Sequence, residues 1–160
     1  MKTLILALGN PILSDDAVGW EIADRLVARL PADETHVMKE SGATLDLLPR
    51  FAGYERLVVV DAIQLGTAPV GTVHRMTLDD LRSTVRRSSA HDINFATAFA
   101  VGRQWGYEIP RDIRIYGIEV RELRRFSENL TPEVQERLEA ITGEILADLN
   151  RPTPAILAGL

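Results

Sequence analysis

The chain contains no cysteine. That absence excludes a disulfide scaffold, a thiol nucleophile and a thiolate metal site. No apolar run is long enough to span a bilayer. Positive charge is not in surplus either. Lys and Arg number 18 against 23 Asp and Glu, for a formal net charge of −5. A broad basic face for nucleic acid is therefore not expected. The short basic clusters around Arg86-Arg87 and Arg124-Arg125 read as solvated faces. The glycine spacing of dinucleotide and P-loop sites is also missing: Gly9 follows the first apolar run and the next glycine is Gly19. Internal repeats, low-complexity segments and domain linkers are absent.

What is present is 160 residues with 46% hydrophobic content, enough for one domain with a sizeable core. The expectation is a single domain over 1–150 and a tail over 151–160 that leaves the last helix at two prolines. The opening "MKTLILALGN" carries one lysine and a short apolar stretch, but no small-residue cleavage site follows. It reads as a first strand over Leu4 to Leu8.

Periodicity supplies the remaining elements. Val18, Ile22, Leu26 and Leu30 fall at i+4 spacing and predict an amphipathic helix over 16–30, with Pro31 at its end. "THVMKE" predicts a second strand and "TLDLLPRF" a short helix. "RLVVVDAI" is a buried strand ending on an acid. "GTVHRMTL" alternates and predicts an edge strand; no helix separates it from its predecessor, so it is expected antiparallel to that strand. "DINFATAFAVGRQWG" predicts a helix with Ile93, Ala96, Phe99 and Ala100 on one side. "DIRIYGIEV" is a further strand. The last helix starts with Thr131 as N-cap and Pro132 at its first position, and buries Val134, Leu138, Ile141, Ile145 and Leu149. Strands alternate with helices, which implies an α/β fold around a mostly parallel sheet.

In such sheets ligands bind beyond the carboxyl ends of the strands. Asp15 and Asp16 follow the first strand by a short loop. Asp61 closes the strand "LVVV". His91 stands at the expected start of a helix. Two carboxylates and a neutral imidazole suit a borderline divalent metal such as nickel or zinc, with coordination positions to spare. Each residue also has a plainer reading. One of the two adjacent acids caps the helix that follows or faces its dipole. Asp61 accepts backbone N–H groups in a turn. His91 is a capping or surface histidine, His36 and His74 are surface residues, and Trp20 packs under a loop.

The run Gly9-Asn10-Pro11-Ile12-Leu13-Ser14-Asp15-Asp16-Ala17-Val18-Gly19 resembles the opening of the hydrogenase maturation endopeptidases. So do "VVVDAI", "SSAHDINFATAF", "YGIEV" and "FSENLTPEV", in the family's order, from residue 4 to about 149. The resemblance implies a phosphorylase/hydrolase-like three-layer α/β/α sandwich with a five-stranded mixed sheet. It implies an endopeptidase without a Ser or Cys triad that removes the C-terminal extension of the nickel–iron hydrogenase large-subunit precursor. Carried over, Asp16, Asp61 and His91 contact the nickel that the precursor supplies, and Asp15 is left as the cap or dipole partner. No organic cofactor, nucleic acid or membrane is implied, and the protein is expected to be a cytoplasmic monomer. Ala17 stands where glycine is frequent, and Ser41-Gly42 where a Gly-Gly pair is often found. Two other functions stay open: a peptidyl-tRNA hydrolase-like enzyme, whose family shares the Gly-Asn-Pro opening, and a non-catalytic chaperone that binds nickel or the precursor.

Overall fold

The computed structural model describes residues 1–41, 45–78, 80 and 90–152, with side chains excepted over 90–96. The described elements are β1 (Thr3–Leu8), a 3-10 turn (Ser14–Ala17), α1 (Val18–Val27), β2 (Thr35–Glu40), a 3-10 helix (Leu45–Phe51), β3 (Arg56–Ile63), β4 (Val73–Met76), α2 (Ala90–Gln104), β5 (Asp112–Glu119) and α3 (Pro132–Leu149). The five strands form one mixed sheet in the order β2-β1-β3-β5-β4. Four strands run parallel and β4 is antiparallel to β5.

Alternation along the strands divides the core in two. Ile5, Ala7, Val58, Val60 and Ala62 face one side, where Val18, Ile22 and Leu26 of α1 and the full predicted stripe of α3 bury against them. Leu4, Leu6, Leu8, Leu57 and Val59 face the other side, against Leu47, Leu48 and Phe51 of the 3-10 helix and Phe99 of α2. The sheet is thus the middle of three layers, as a parallel sheet buried on both faces requires.

β4 runs antiparallel to β3 and lies at an edge, as expected: it is antiparallel to β5, which is parallel to β3. It pairs with β5 rather than with β3, because β5 takes the free edge of β3 over eight positions. The crossover through α2 returns the chain beside β3, leaving only the outer edge for the four-residue β4. Two local expectations need correction. α1 starts at Val18 rather than residue 16, because a 3-10 turn precedes it. In α2, Ala98 is buried and Ala100 exposed. The side chains of Ile93 and Ala96, together with Arg86-Arg87 and the tail from 153, lie outside what is described.

A polar cluster at the amino ends of the strands fastens the end of α3. Asp112 accepts from Arg56 Nε and Arg114 Nε, both at 2.7 Å. The same guanidinium groups reach the helix end, where Arg56 donates to the Leu149 carbonyl and Arg114 to that of Asp148. These are the carbonyls a helix leaves without intrahelical partners, and cations there also oppose the helix dipole. Tyr116 donates its hydroxyl to Asp148 Oδ2 at 2.8 Å.

Candidate functional site at the carboxyl edge of the sheet

The loop after β1 is set by close backbone packing. Gly9 has φ +147°, and a Cβ there would lie 2.0 Å from the Asp16 carbonyl oxygen. Only glycine permits both the conformation and the approach. Asn10 N–H donates to Asp16 Oδ2 at 2.8 Å, and its own Oδ1 accepts from Ile12 N at 3.1 Å. Ser14 takes φ +48°, the one non-glycine positive φ among the described residues. An L-residue pays about 1–2 kcal/mol for that region, so the surrounding contacts must hold it. Those contacts include Ser14 Oγ donating to the Asn129 carbonyl and Ser14 N donating to that of Ser127.

The bend at Ser14 sends the two acids different ways. Asp15 is fully buried. Its Oδ1 accepts from Thr131 N at 2.7 Å, and its Oδ2 accepts from Thr131 Oγ1 at 3.0 Å, Glu122 N at 3.0 Å and Arg121 N at 3.3 Å. The expectation that Asp15 caps its own helix is corrected: neither the 3-10 turn nor α1 has a side-chain cap. Asp15 instead ties the segment between β5 and α3 to the first loop, and lies at the N-terminus of α3. Thr131 is the predicted N-cap residue by backbone, with ψ 150°, yet its hydroxyl serves Asp15 rather than its own helix.

Asp16 and Asp61 come to the same edge of the sheet. A Cβ on Gly19 would lie 2.8 Å from the Leu8 carbonyl and 2.6 Å from that of Val60. The first turn of α1 therefore sits directly on the end of β1 and on Val60 within β3, carrying the Asp16 turn toward the position after Val60. Asp61 is buried at 4% exposure, and its Oδ1 accepts from Ala62 N at 2.8 Å. β3 continues past it to Ile63, so Asp61 lies inside the strand rather than closing it. Alternation puts Asp61 on the face of Leu57 and Val59, the face that α2 covers.

His91 is the second residue of α2; its side chain lies outside what is described. The last turn of α2 lies near the start of β5, since a Cβ on Gly102 would touch Leu48 and Ile109. The helix thus runs against the parallel strands, and its first turn is at their carboxyl edge with Asp16 and Asp61. Among the described residues no three His, Asp or Glu side chains gather closely enough to hold a metal ion.

Sequence reasoning passed over Glu119. It is buried at the end of β5 and accepts from Leu65 N and Gly66 N. His74 Nε2 lies 3.3 Å from Glu119 Oε2, so His74 is a half-buried partner of this acid rather than a surface residue. The available signal was an acid at a strand end, the same one that singled out Asp61. His36 is exposed, its ring edge-on to Tyr54. Trp20 is half-buried against the core with Lys39 over its ring. Glu122 has its carboxyl held below the usual range, first by the N–H groups of Arg124 and Arg125.

Comparison with known proteins adds sequence and fold. The HycI family model, described as hydrogenase maturation protease, matches residues 21–148. The Escherichia coli (strain K12) hydrogenase 2 maturation protease is 28% identical over 153 residues, covering 94% of this chain and 92% of that protein. The solved E. coli hydrogenase maturating endopeptidase HybD superposes with a TM-score of 0.78 at 27% identity, covering 93% of this chain and 92% of that one. The [NiFe] hydrogenase maturation protease HybD from Thermococcus kodakarensis gives 0.71 at 25% identity, covering 94% and 100%.

Proposed function

The chain belongs to the hydrogenase maturation protease family, and from that premise we propose that it cuts the C-terminal extension from a nickel-loaded nickel–iron hydrogenase large-subunit precursor. The observation that carries this reading is the convergence at one sheet edge. The turn carrying Asp16 leads into the first turn of α1, which rests on the end of β1 and on Val60, the residue before Asp61, and the first turn of α2 contains His91, on the helix that covers the face of Asp61.

In this reading Asp16, Asp61 and His91 engage the precursor's nickel from outside. Carboxylate and imidazole donors match a borderline divalent ion. The ion arrives as part of the substrate, so the three groups act as a sensor: only a loaded precursor completes the coordination. The contact also brings the scissile peptide to the ion, which polarises its carbonyl. Alternatively, one of the two carboxylates takes the proton of the attacking water as general base. With no cysteine in the chain, a thiol nucleophile has no part. We further propose that the protein acts as a cytoplasmic monomer without an organic cofactor. No helix among the described residues is long and apolar enough to cross a membrane.

The test is the intact mass of a hydrogenase large-subunit precursor, loaded with nickel or nickel-free, after incubation with the protein. Shortening of the loaded form alone is the expected result. Equal cutting of the nickel-free form removes the sensing role. Binding without any cutting converts the assignment to a chaperone.

A further inference from the structure

The chain leaving β5 is gripped from two sides, and each grip sits beside one of the two acids proposed to meet the nickel. On one side is Asp15, the neighbour of Asp16, whose Oδ2 accepts from Glu122 N and Arg121 N. On the other side are Glu119 and Gln64. Glu119 is 2% exposed. Its Oε1 accepts from Gly66 N at 2.8 Å and from Leu65 N at 3.1 Å, while Oε2 faces His74. Gln64 Nε2 donates to the Arg121 carbonyl at 2.7 Å, and Val120 N to the Ile63 carbonyl at 2.9 Å. The residues so held, 63–66, directly follow Asp61-Ala62.

Asp61 depends on this hold through its own backbone. Its Oδ1 accepts from Ala62 N at 2.8 Å, so the path of the chain just after Asp61 orients the carboxylate. In the sheet Asp61 stands opposite Gly117 and Ile63 opposite Glu119. Beyond Ile63 the strand has ended, and a strand end without partners opens locally. Glu119 supplies the partners there. Other turns with a left-handed glycine lie at the amino edge and close on backbone carbonyls: Tyr54 N on that of Phe51, and Gly106 N on that of Arg103. The turn at Gly66 instead takes a buried carboxylate, which costs desolvation that a plain turn does not require.

We infer that segment 119–122 is a clasp that fixes Asp61 against Asp16, and that Glu119 is a positioning residue acting through Asp61. The clasp rests on the proposed function for what the two acids meet, and its test separates the two. One ion touches both carboxylates at once, so their separation matters for a loaded precursor. A nickel-free precursor has no ion with which to read that separation. The clasp therefore acts on turnover of the loaded form and leaves the binding of the nickel-free form alone.

The experiment compares Glu119→Ala and Glu119→Gln with wild type. It reads kcat and KM for shortening of nickel-loaded large-subunit precursor, and the Kd for nickel-free precursor by fluorescence anisotropy. Hydrogen exchange of the Ala62, Leu65 and Gly66 amides is followed in the same proteins. Glu119→Ala is expected to lower kcat about 10- to 100-fold, to leave the nickel-free Kd unchanged, and to speed exchange at all three amides. Glu119→Gln keeps an oxygen for Leu65 N and Gly66 N and should restore both. A wild-type kcat in Glu119→Ala overturns the clasp, and so does a Glu119→Gln variant that restores nothing. Faster exchange confined to Leu65 and Gly66 also overturns it, because the disturbance then stops short of Asp61. A nickel-free Kd that rises in step with the loss of kcat reduces Glu119 to a structural residue and overturns its positioning role. Should Glu119→Ala not fold, Gln64→Ala decides: its side chain is exposed, and a fall in kcat of about threefold or more is expected, no fall being fatal. If wild type leaves loaded precursor whole, the protease assignment fails, and exchange at Ala62 alone then keeps or overturns the clasp.

Discussion

Both ends of the sheet bury carboxylates, but hold them differently. At the amino ends, Asp112 and Asp148 lie against guanidinium groups: Arg56 and Arg114 on the first, Arg75 and Arg114 on the second. At the carboxyl ends, Asp15, Asp16, Asp61 and Glu119 each accept from backbone N–H groups. A guanidinium cancels the charge it binds. An N–H group orients a carboxylate without cancelling its formal charge. The lower cluster is a fastening that closes the end of α3. The upper carboxylates are oriented in part by backbone, Asp61 from within β3 and the other three from loops, with His74 also beside Glu119.

Substitutions at the two ends should therefore fail in different ways. The largest effect is expected from Asp112→Ala, which removes the carboxylate shared by buried Arg114 and half-buried Arg56 and should cost about 3–5 kcal/mol of stability by chemical denaturation. Processing per folded molecule should be retained. If instead it is stable and inactive, the division between the two ends is wrong. Gly9→Ala is expected next, at about 3 kcal/mol or more, because its Cβ would overlap the Asp16 carbonyl. A variant with a wild-type melting curve would mean that the loop relaxes freely.

Asp16→Ala and Asp61→Ala are expected to lower processing of loaded precursor by about 10²-fold or more. Processing at the wild-type rate by both would remove them from the site. Asp15→Asn separates the acid pair. It takes an acceptor from a carboxylate with four donors and should cost about 1–3 kcal/mol. Because Asp15 holds the segment after β5, its hydrogen-exchange protection should fall at residues 121–131. Protection lost only in α1 would return Asp15 to the role of a local cap.

The smallest effect concerns pH. Burial, followed by its hydrogen bond to Asp148, pushes the Tyr116 hydroxyl well above its ordinary value of 10.0. Folding thus favours the protonated phenol, and that contribution is complete below pH 10. Above it the unfolded chain loses the proton first, so stability falls as pH rises toward the folded value. Melting curves of Tyr116→Phe should be flatter above pH 10 than those of wild type. Parallel curves would show that Tyr116 is not the group responsible.

Much of the fold was legible because hydrophobic period reports which face of an element is buried. β2 spans the predicted "THVMKE", and α3 buries all five predicted stripe residues. Where the chain bends through an unusual conformation, the signal failed. Ser14 is an ordinary residue with a left-handed φ, so the 3-10 turn was absorbed into a longer predicted helix. The direction of β4 was legible from the missing crossover helix, but its pairing with β5 was not, because strand order depends on where the α2 crossover lands, which no local pattern encodes. His74 alternates like a solvent-facing residue, and Glu119, whose Oε2 lies 3.3 Å from its Nε2, comes from a distant part of the chain.

The sequence by itself determined the α/β class, the absence of thiol chemistry and the family, because these depend on composition, periodicity and the order of motifs. It also placed Asp16, Asp61 and His91 next to elements that end at one edge. Only the tertiary structure decided what Asp15 does. Its partners lie 106, 107 and 116 residues along the chain, and they reach it only once α1 and α3 have packed on the same face of the sheet. Periodicity describes one element at a time. The identity of the N–H groups that meet a carboxylate is settled where loops from different elements converge.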